Sequence, residues 1–151
     1  LRDQQLQPWI FLNVKVQTAC TQADDIAFHQ TFAEALSDLI VEFGLEQRAF
    51  VETLNRDFLL ATREVNADLR LIFDDEVYER GIGVVLEHDF DGLAISNEQV
   101  TAAQVADAHT QGKWLLIWGV RILDATQKAV EKSPELIMTD DIRMLRGVLG
   151  K

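Results

Sequence analysis

Three polar residues at alternate positions, Asn13, Lys15 and Gln17, close an otherwise apolar run that starts at Trp9. In a strand, side chains at i and i+2 leave the same face, so an ammonium and two amides would be presented together. That set suits an anion, with Lys15 as a compact point charge. The plainer reading takes precedence: an idle pocket in which Lys15 pairs with a carboxylate such as Asp140 or Asp74. Glu52 ends a second apolar run, and Asp74-Asp75-Glu76 follow a third. Such an acidic run could contact a metal, but acids that open a helix more often complement its dipole. Arg121 follows a run ending at Val120 and is either a phosphate ligand or a solvated loop arginine. His29, His88 and His109 have no metal-ligand spacing with one another or with Cys20, and they read as structural or surface residues. Gly-x-Ser-x-Gly, P-loop and Cys-x-x-Cys patterns are absent from the sequence. No residue is therefore assigned as catalytic and none as a metal ligand.

The elements that must position these groups alternate in periodicity. Runs read as strands cover Trp9 to Val16, Ala49 to Thr53, Leu69 to Phe73, Gly92 to Ile95, Trp114 to Val120 and Leu136 to Thr139. Helical spacing fills the gaps. The first helix is predicted over Ala23 to Phe43, burying Ile26, Phe32, Ala33, Leu36, Leu39, Ile40 and Phe43, with Gly44 as its C-cap. Others are predicted over Arg56 to Asn66, Glu76 to Glu87 (weakened by Gly81 and Gly83), Thr101 to Thr110, Leu123 to Lys132, and from Asp141 onward. Asn97 or Thr101 would cap the fourth. Strand followed by helix six times over indicates an α/β fold with a parallel sheet and right-handed crossovers. The pattern leaves two architectures open, a doubly wound sheet or an arc of a (β/α) barrel. No Gly-x-Gly-x-x-Gly follows the first strand, so a dinucleotide site has no support.

Composition narrows the partners. Acidic residues outnumber basic ones 25 to 14, for a net charge of −11, which repels nucleic acid and anionic membrane surfaces. No apolar run is long enough to span a membrane, and the single cysteine excludes an intramolecular disulfide. A cytoplasmic location is favoured, without a signal pattern to say more. The 151 residues read as one domain, and the missing initiator Met suggests a piece of something longer.

Three blocks resemble the glycerophosphodiester phosphodiesterase family. Asn13-Val14-Lys15-Val16-Gln17 is similar to its Asn-Ile-Glu-Ile-Lys strand. The stretch Ala108 to Arg121, with His109, Gly112 and Trp118, is similar to its Ala-His-x-x-Gly helix end and the Trp-Thr-Val-Asn strand after it. Leu136-Ile137-Met138-Thr139-Asp140 resembles its closing Gly-Ile-Ile-Thr-Asp strand. Order and spacing match over nearly the whole chain.

The resemblance implies a partial TIM (β/α)8-type barrel, strands three to eight, with the first two βα units missing. It implies phosphoric diester hydrolysis of glycerophosphodiesters, in lipid and glycerol metabolism, assisted by a divalent cation, Mg²⁺ or Ca²⁺. In the family, the histidines that move protons and most metal ligands lie in that opening portion. Lys15 stands where the family has a ligand Glu, and Gln17 where it has a phosphate-binding Lys. Trp118 matches a Trp that lines the substrate mouth, Arg121 replaces an Asn, and Glu52-Thr53 replaces Ser-Ser. The candidate pocket is thus Asn13, Lys15, Gln17, Glu52, Trp118 and Arg121.

The expectation is a chain that is catalytically incomplete by itself and holds no cofactor alone. The alternative is a non-enzymatic relative that binds an anion or serves assembly. The partner would be a small phosphodiester if the chain is active. Six strands instead of eight leave two apolar edges, so one of three outcomes is expected: self-association, a missing segment that completes the barrel, or an open arc with its edges covered by the N-terminal residues.

Overall fold

The computed structural model describes residues 9–16 and 22–151. Its elements are β1 (Ile10–Asn13), α1 (Gln22–Glu42), β2 (Ala49–Thr53), α2 (Arg56–Val65), β3 (Arg70–Asp74), α3 (Tyr78–Glu87), β4 (Gly92–Ser96), α4 (Ala102–Thr110), β5 (Trp114–Val120), α5 (Leu123–Glu131), β6 (Leu136–Thr139) and α6 (Ile142–Val148). Hydrogen-bonded strand order follows chain order from β1 to β6. The ladders β1–β2, β3–β4, β4–β5 and β5–β6 are all parallel. A doubly wound sheet reverses its order at a switch point, and a barrel does not. Sequential order therefore decides between the two architectures.

The chain divides into two compact units, Leu1–Leu71 and Ile72–Lys151. In the first, Phe50 is fully buried and stacks on Phe11 with centroids 5.0 Å apart, while the Arg70 guanidinium lies 4.6 Å from the Trp9 ring centroid. Phe58 anchors α2 against α1, with its ring 5.1 Å from Phe32 and 6.0 Å from His29. The buried stripe of α1 is His29, Ala33, Leu36, Ser37 and Ile40. Ile26, Leu39 and Phe43 are exposed, contrary to the broader stripe expected from sequence. A helix that packs along a neighbouring helix, as α1 does along α2, needs only i, i+4, i+7 and i+11, and the wider apolar set overstates the contact. Gly44, at φ +61°, ends α1 as expected. The Leu45 N–H reaches the Ile40 carbonyl and the Gly44 N–H the Val41 carbonyl, which together satisfy two end carbonyls.

β1 is shorter than the predicted Trp9 to Val16 because its partner runs out. Asn13 sits opposite Glu52, and β2 ends one residue later, before Asn55 turns to cap α2 by accepting the Phe58 N–H.

In the second unit, Ile72, Phe73, Leu93, Ala94, Ile95, Leu115, Leu116 and Ile117 form near-continuous apolar strands, buried because helices cover them. Thr101, not Asn97, caps α4, in a reciprocal capping box with Gln104. α3 begins at Tyr78, later than the predicted Glu76, because Asp75 Oδ1 accepts the Val77 N–H and holds a turn ahead of the helix.

Gly81 is required by that packing: an added Cβ would stand 2.5 Å from Leu93 Cδ1 and 2.9 Å from Asp75 Cβ. Gly83 has open space on the same helix. Urea unfolding should separate them. Gly81→Ala should destabilise by about 1–3 kcal/mol through overpacking, and Gly83→Ala should stabilise by about 0.5–1 kcal/mol through helix propensity.

Candidate functional site

Parallel strands place their carboxyl ends on a common edge, and the loops that follow carry whatever chemistry the unit has. In the first unit this edge holds Asn13 and Glu52, paired in register. Register partners share a face, and Lys15, two residues on, keeps that face. Asn13 and Lys15 are exposed, whereas Val14 between them is buried, as alternation requires. Glu52 is 2% exposed, a carboxylate taken out of water at the end of a buried strand. Gln17 lies outside the described residues.

The corresponding edge of the second unit is richer than the sequence suggested. Trp118 is half-buried and donates its indole Nε1–H to Asp74 Oδ1 at 3.1 Å. Ser96 is the register partner of Trp118, and the Asn97 N–H bonds the Trp118 carbonyl at 2.9 Å. Gly119 follows at φ +80°, within a shift of the β5–β6 register between Ile117 and Val120. An L side chain rarely takes that conformation, so glycine is needed where the strand breaks step beside Trp118. Arg121 lies just beyond and contacts Asp140 at 3.2 Å, with both side chains nearly four-fifths exposed. Such a pair adds little to stability but keeps a guanidinium at the strand ends.

Asp74 is the residue the sequence reading placed poorly. The run Asp74-Asp75-Glu76 does not act as three helix-opening acids. Asp74 ends β3 and holds Trp118. Asp75 is buried, accepts the Val77 N–H, and takes both Arg80 Nε at 2.8 Å and Nη2 at 2.6 Å. Strand alternation through Arg70 to Asp74 was the signal that could have separated them. Asp140, one of the two partners proposed for Lys15, is held by Arg121 instead.

Each histidine has a neighbour in contact. His29 is buried with Nε2 3.4 Å from Asn55 Nδ2, His88 packs on Phe90, and His109 meets Glu135 at 2.7 Å. Tyr78 donates to Asp107 at 2.8 Å, and burial together with that carboxylate pushes its phenol well above the usual range. Among the described residues, no group of three or more His, Cys, Asp or Glu side chains could hold a metal ion. None of their helices is long and apolar enough to cross a membrane.

No family model and no curated protein matches the chain. Solved structures do. A Silicibacter pomeroyi protein assigned as a glycerophosphoryl diester phosphodiesterase superposes with a TM-score of 0.84 at 19% identity, over 94% of this chain and 50% of its own. The fold is that of a partial TIM-type barrel. A Parabacteroides distasonis glycerophosphodiester phosphodiesterase gives 0.78 at 13% identity, over 94% of this chain and 57% of its own. An Oleispira antarctica phosphodiesterase, solved with its product sn-glycerol-3-phosphate, gives 0.70 at 12% identity, over 83% and 51%. The chain thus spans about half the length of these structures.

The Asp75 carboxyl has a measurable consequence. Burial alone would raise its pKa, but the Arg80 hydrogen bonds and charge, with the Val77 and Glu76 N–H groups, outweigh burial and hold it below the ordinary 3.8. A depressed folded pKa means stability present in full above 3.8 and lost as pH falls through the lower folded value. Asp75→Asn should flatten that acid limb, which stability measured by urea unfolding at a series of acidic pH values would show.

Proposed function

We propose that this chain is a glycerophosphodiester phosphodiesterase-like domain that supplies one side of a phosphodiester mouth and is catalytically incomplete by itself. The observation that carries the reading is Trp118, held by Asp74 at the end of β5 in a chain that superposes on such enzymes over 94% of its length. An aromatic face beside a carboxylate suits the glycerol part of such a ligand, with C–H groups on the ring and hydroxyls at the oxygens. Arg121, beyond the same strand end, offers the phosphate a guanidinium.

A divalent cation, Mg²⁺ or Ca²⁺, belongs to the chemistry implied by the family, where it would neutralise charge on the phosphate oxygens. The described residues do not fit it. Hard cations want clustered carboxylates, and β1 is followed by the exposed ammonium of Lys15. We assign no step to a metal here. A second reading, a non-enzymatic anion-binding or assembly module, is favoured by that same ammonium. A cytoplasmic place is part of the proposal, and the lone cysteine fits a reducing compartment.

The β6 edge belongs to the proposal as well. β6 is the last strand in the sheet order, and Met138 within it and Ile142 at the start of α6 are 38% and 62% exposed. We expect the edge to take a further strand, from a second copy or from residues beyond this chain. Sedimentation velocity should show mass rising with concentration, and a monomer at every concentration would contradict the second-copy arm.

Titrating the chain with glycerophosphocholine should change indole fluorescence, and Trp118→Phe should abolish that change while leaving Trp9 and Trp114 emission intact. An unchanged response in the variant would remove Trp118 from the mouth.

A further inference from the structure

Several basic side chains of the second unit are matched within the chain. Lys128 pairs with Asp124 at 2.7 Å, Arg121 with Asp140 at 3.2 Å, and Lys132 donates to Asn97 Oδ1 at 2.8 Å. The acids of α1 in the first unit are different. Glu34, Asp38 and Glu42 are exposed, stand four residues apart, and make no ion pair among the described residues. Glu34 accepts only the neutral side-chain amide of Gln30, at 3.0 Å. Between Gln22 and Glu42 the sequence holds no lysine or arginine, so nothing on the helix itself offsets the row.

Beside this row runs an apolar line. Phe28, Phe32, Ala35, Leu39 and Phe43 follow the i, i+4, i+7, i+11, i+15 spacing of one helix face. Phe28, Leu39 and Phe43 are 45%, 50% and 64% exposed, so the line is largely in water. Phe43 continues it one residue past α1, with its N–H bonded to the Leu39 carbonyl at 3.2 Å. The buried stripe of His29, Ala33, Leu36 and Ile40 lies next to it, one residue on. Ile26 and Val41 are also exposed but fall off the line, as single apolar surface residues commonly do. From Phe28 to Phe43 the helical rise is about 22 Å.

We propose that this face of α1 is a docking strip for a cationic amphipathic helix of a partner protein. The apolar line takes the partner's leucines. The acidic row repeats every ~6 Å and meets lysines or arginines at the same i, i+4 spacing. A strip about 22 Å long and about 10 Å wide offers about 200 Å², roughly a quarter of what each side of a stable contact between folded proteins buries. One helix fits that area, and a broad folded surface would overhang it. Charge decides against the other occupants. A second copy of this chain would bring another acid-bordered helix and no cation to meet Glu34, Asp38 and Glu42. An anionic membrane surface is repelled by the same row.

The test titrates the whole chain into a fluorescein-labelled leucine–lysine peptide of amphipathic helical spacing and reads anisotropy. Two controls run beside it: the same peptide with glutamate for lysine, and a scrambled leucine–lysine peptide without helical spacing. The leucine–lysine helix should bind in the micromolar range at low salt and weaken as salt rises, with both controls weaker by about tenfold or more. Leu39→Ser, at a position half out of water, should weaken binding about tenfold. Neutralising the row (Glu34→Gln, Asp38→Asn and Glu42→Gln together) should weaken it about fivefold and flatten the salt dependence. Circular dichroism should show the helix content of both variants retained. No binding of the leucine–lysine helix, equal binding of the glutamate peptide, or binding that survives both variants would overturn the proposal. So would sedimentation showing that the chain alone self-associates and that Leu39→Ser abolishes it, because the occupant is then a second copy.

Discussion

Everything functional in this chain depends on the parallel pairing of its strands. Parallel ladders need both faces covered, so each strand is followed by a helix, and within each unit the carboxyl ends fall on one edge. That constraint brings Asp74, Ser96 and Trp118 together although 44 residues separate the first from the last. It likewise puts Asn13 beside Glu52. Local sequence has no means of making such pairs. They exist because β4 fixes the spacing between β3 and β5, and because β2 fixes the end of β1.

In the proposed reading, the strand ends of each unit carry recognition groups rather than reacting ones. Trp118 is held at its N–H by a carboxylate and at its carbonyl by the backbone of Asn97, and Gly119 lets the strand break register just after it. The indole N–H and the backbone of Trp118 are therefore each anchored before any ligand arrives, which lowers the entropic cost of binding. Lys15 makes the opposite contribution: an exposed positive charge attracts an anion and repels a cation. The solved structures this chain superposes on are about twice as long, so their remaining half lies outside the comparison.

The architecture was legible because strand and helix periods differ and each segment is long enough to show its period. Six of six strands and six of six helices fall where the runs suggested, with shifts only at their ends. Those shifts have local causes, such as the loss of a partner for β1 beyond β2 and the turn built by Asp75 ahead of α3. The choice of barrel over doubly wound sheet needed strand order, which periodicity cannot carry. The site was legible in part. Trp118 and Arg121 were named through the resemblance, but the contact of Asp74 with Trp118 was hidden inside an acidic run, where adjacent carboxylates look alike. Only the pleat separates them, sending Asp74 to the indole and Asp75 to Arg80. The Asn97–Lys132 contact, 35 residues apart, had no sequence signal at all.

The central proposal is that this chain, which has the fold of a partial TIM-type barrel, is catalytically incomplete by itself. The most direct measurement is release of glycerol 3-phosphate from glycerophosphocholine by the purified chain in saturating Mg²⁺ or Ca²⁺. The account predicts no turnover above the buffer rate with either cation. Metal-dependent turnover that is abolished by chelation and restored by re-addition would contradict it.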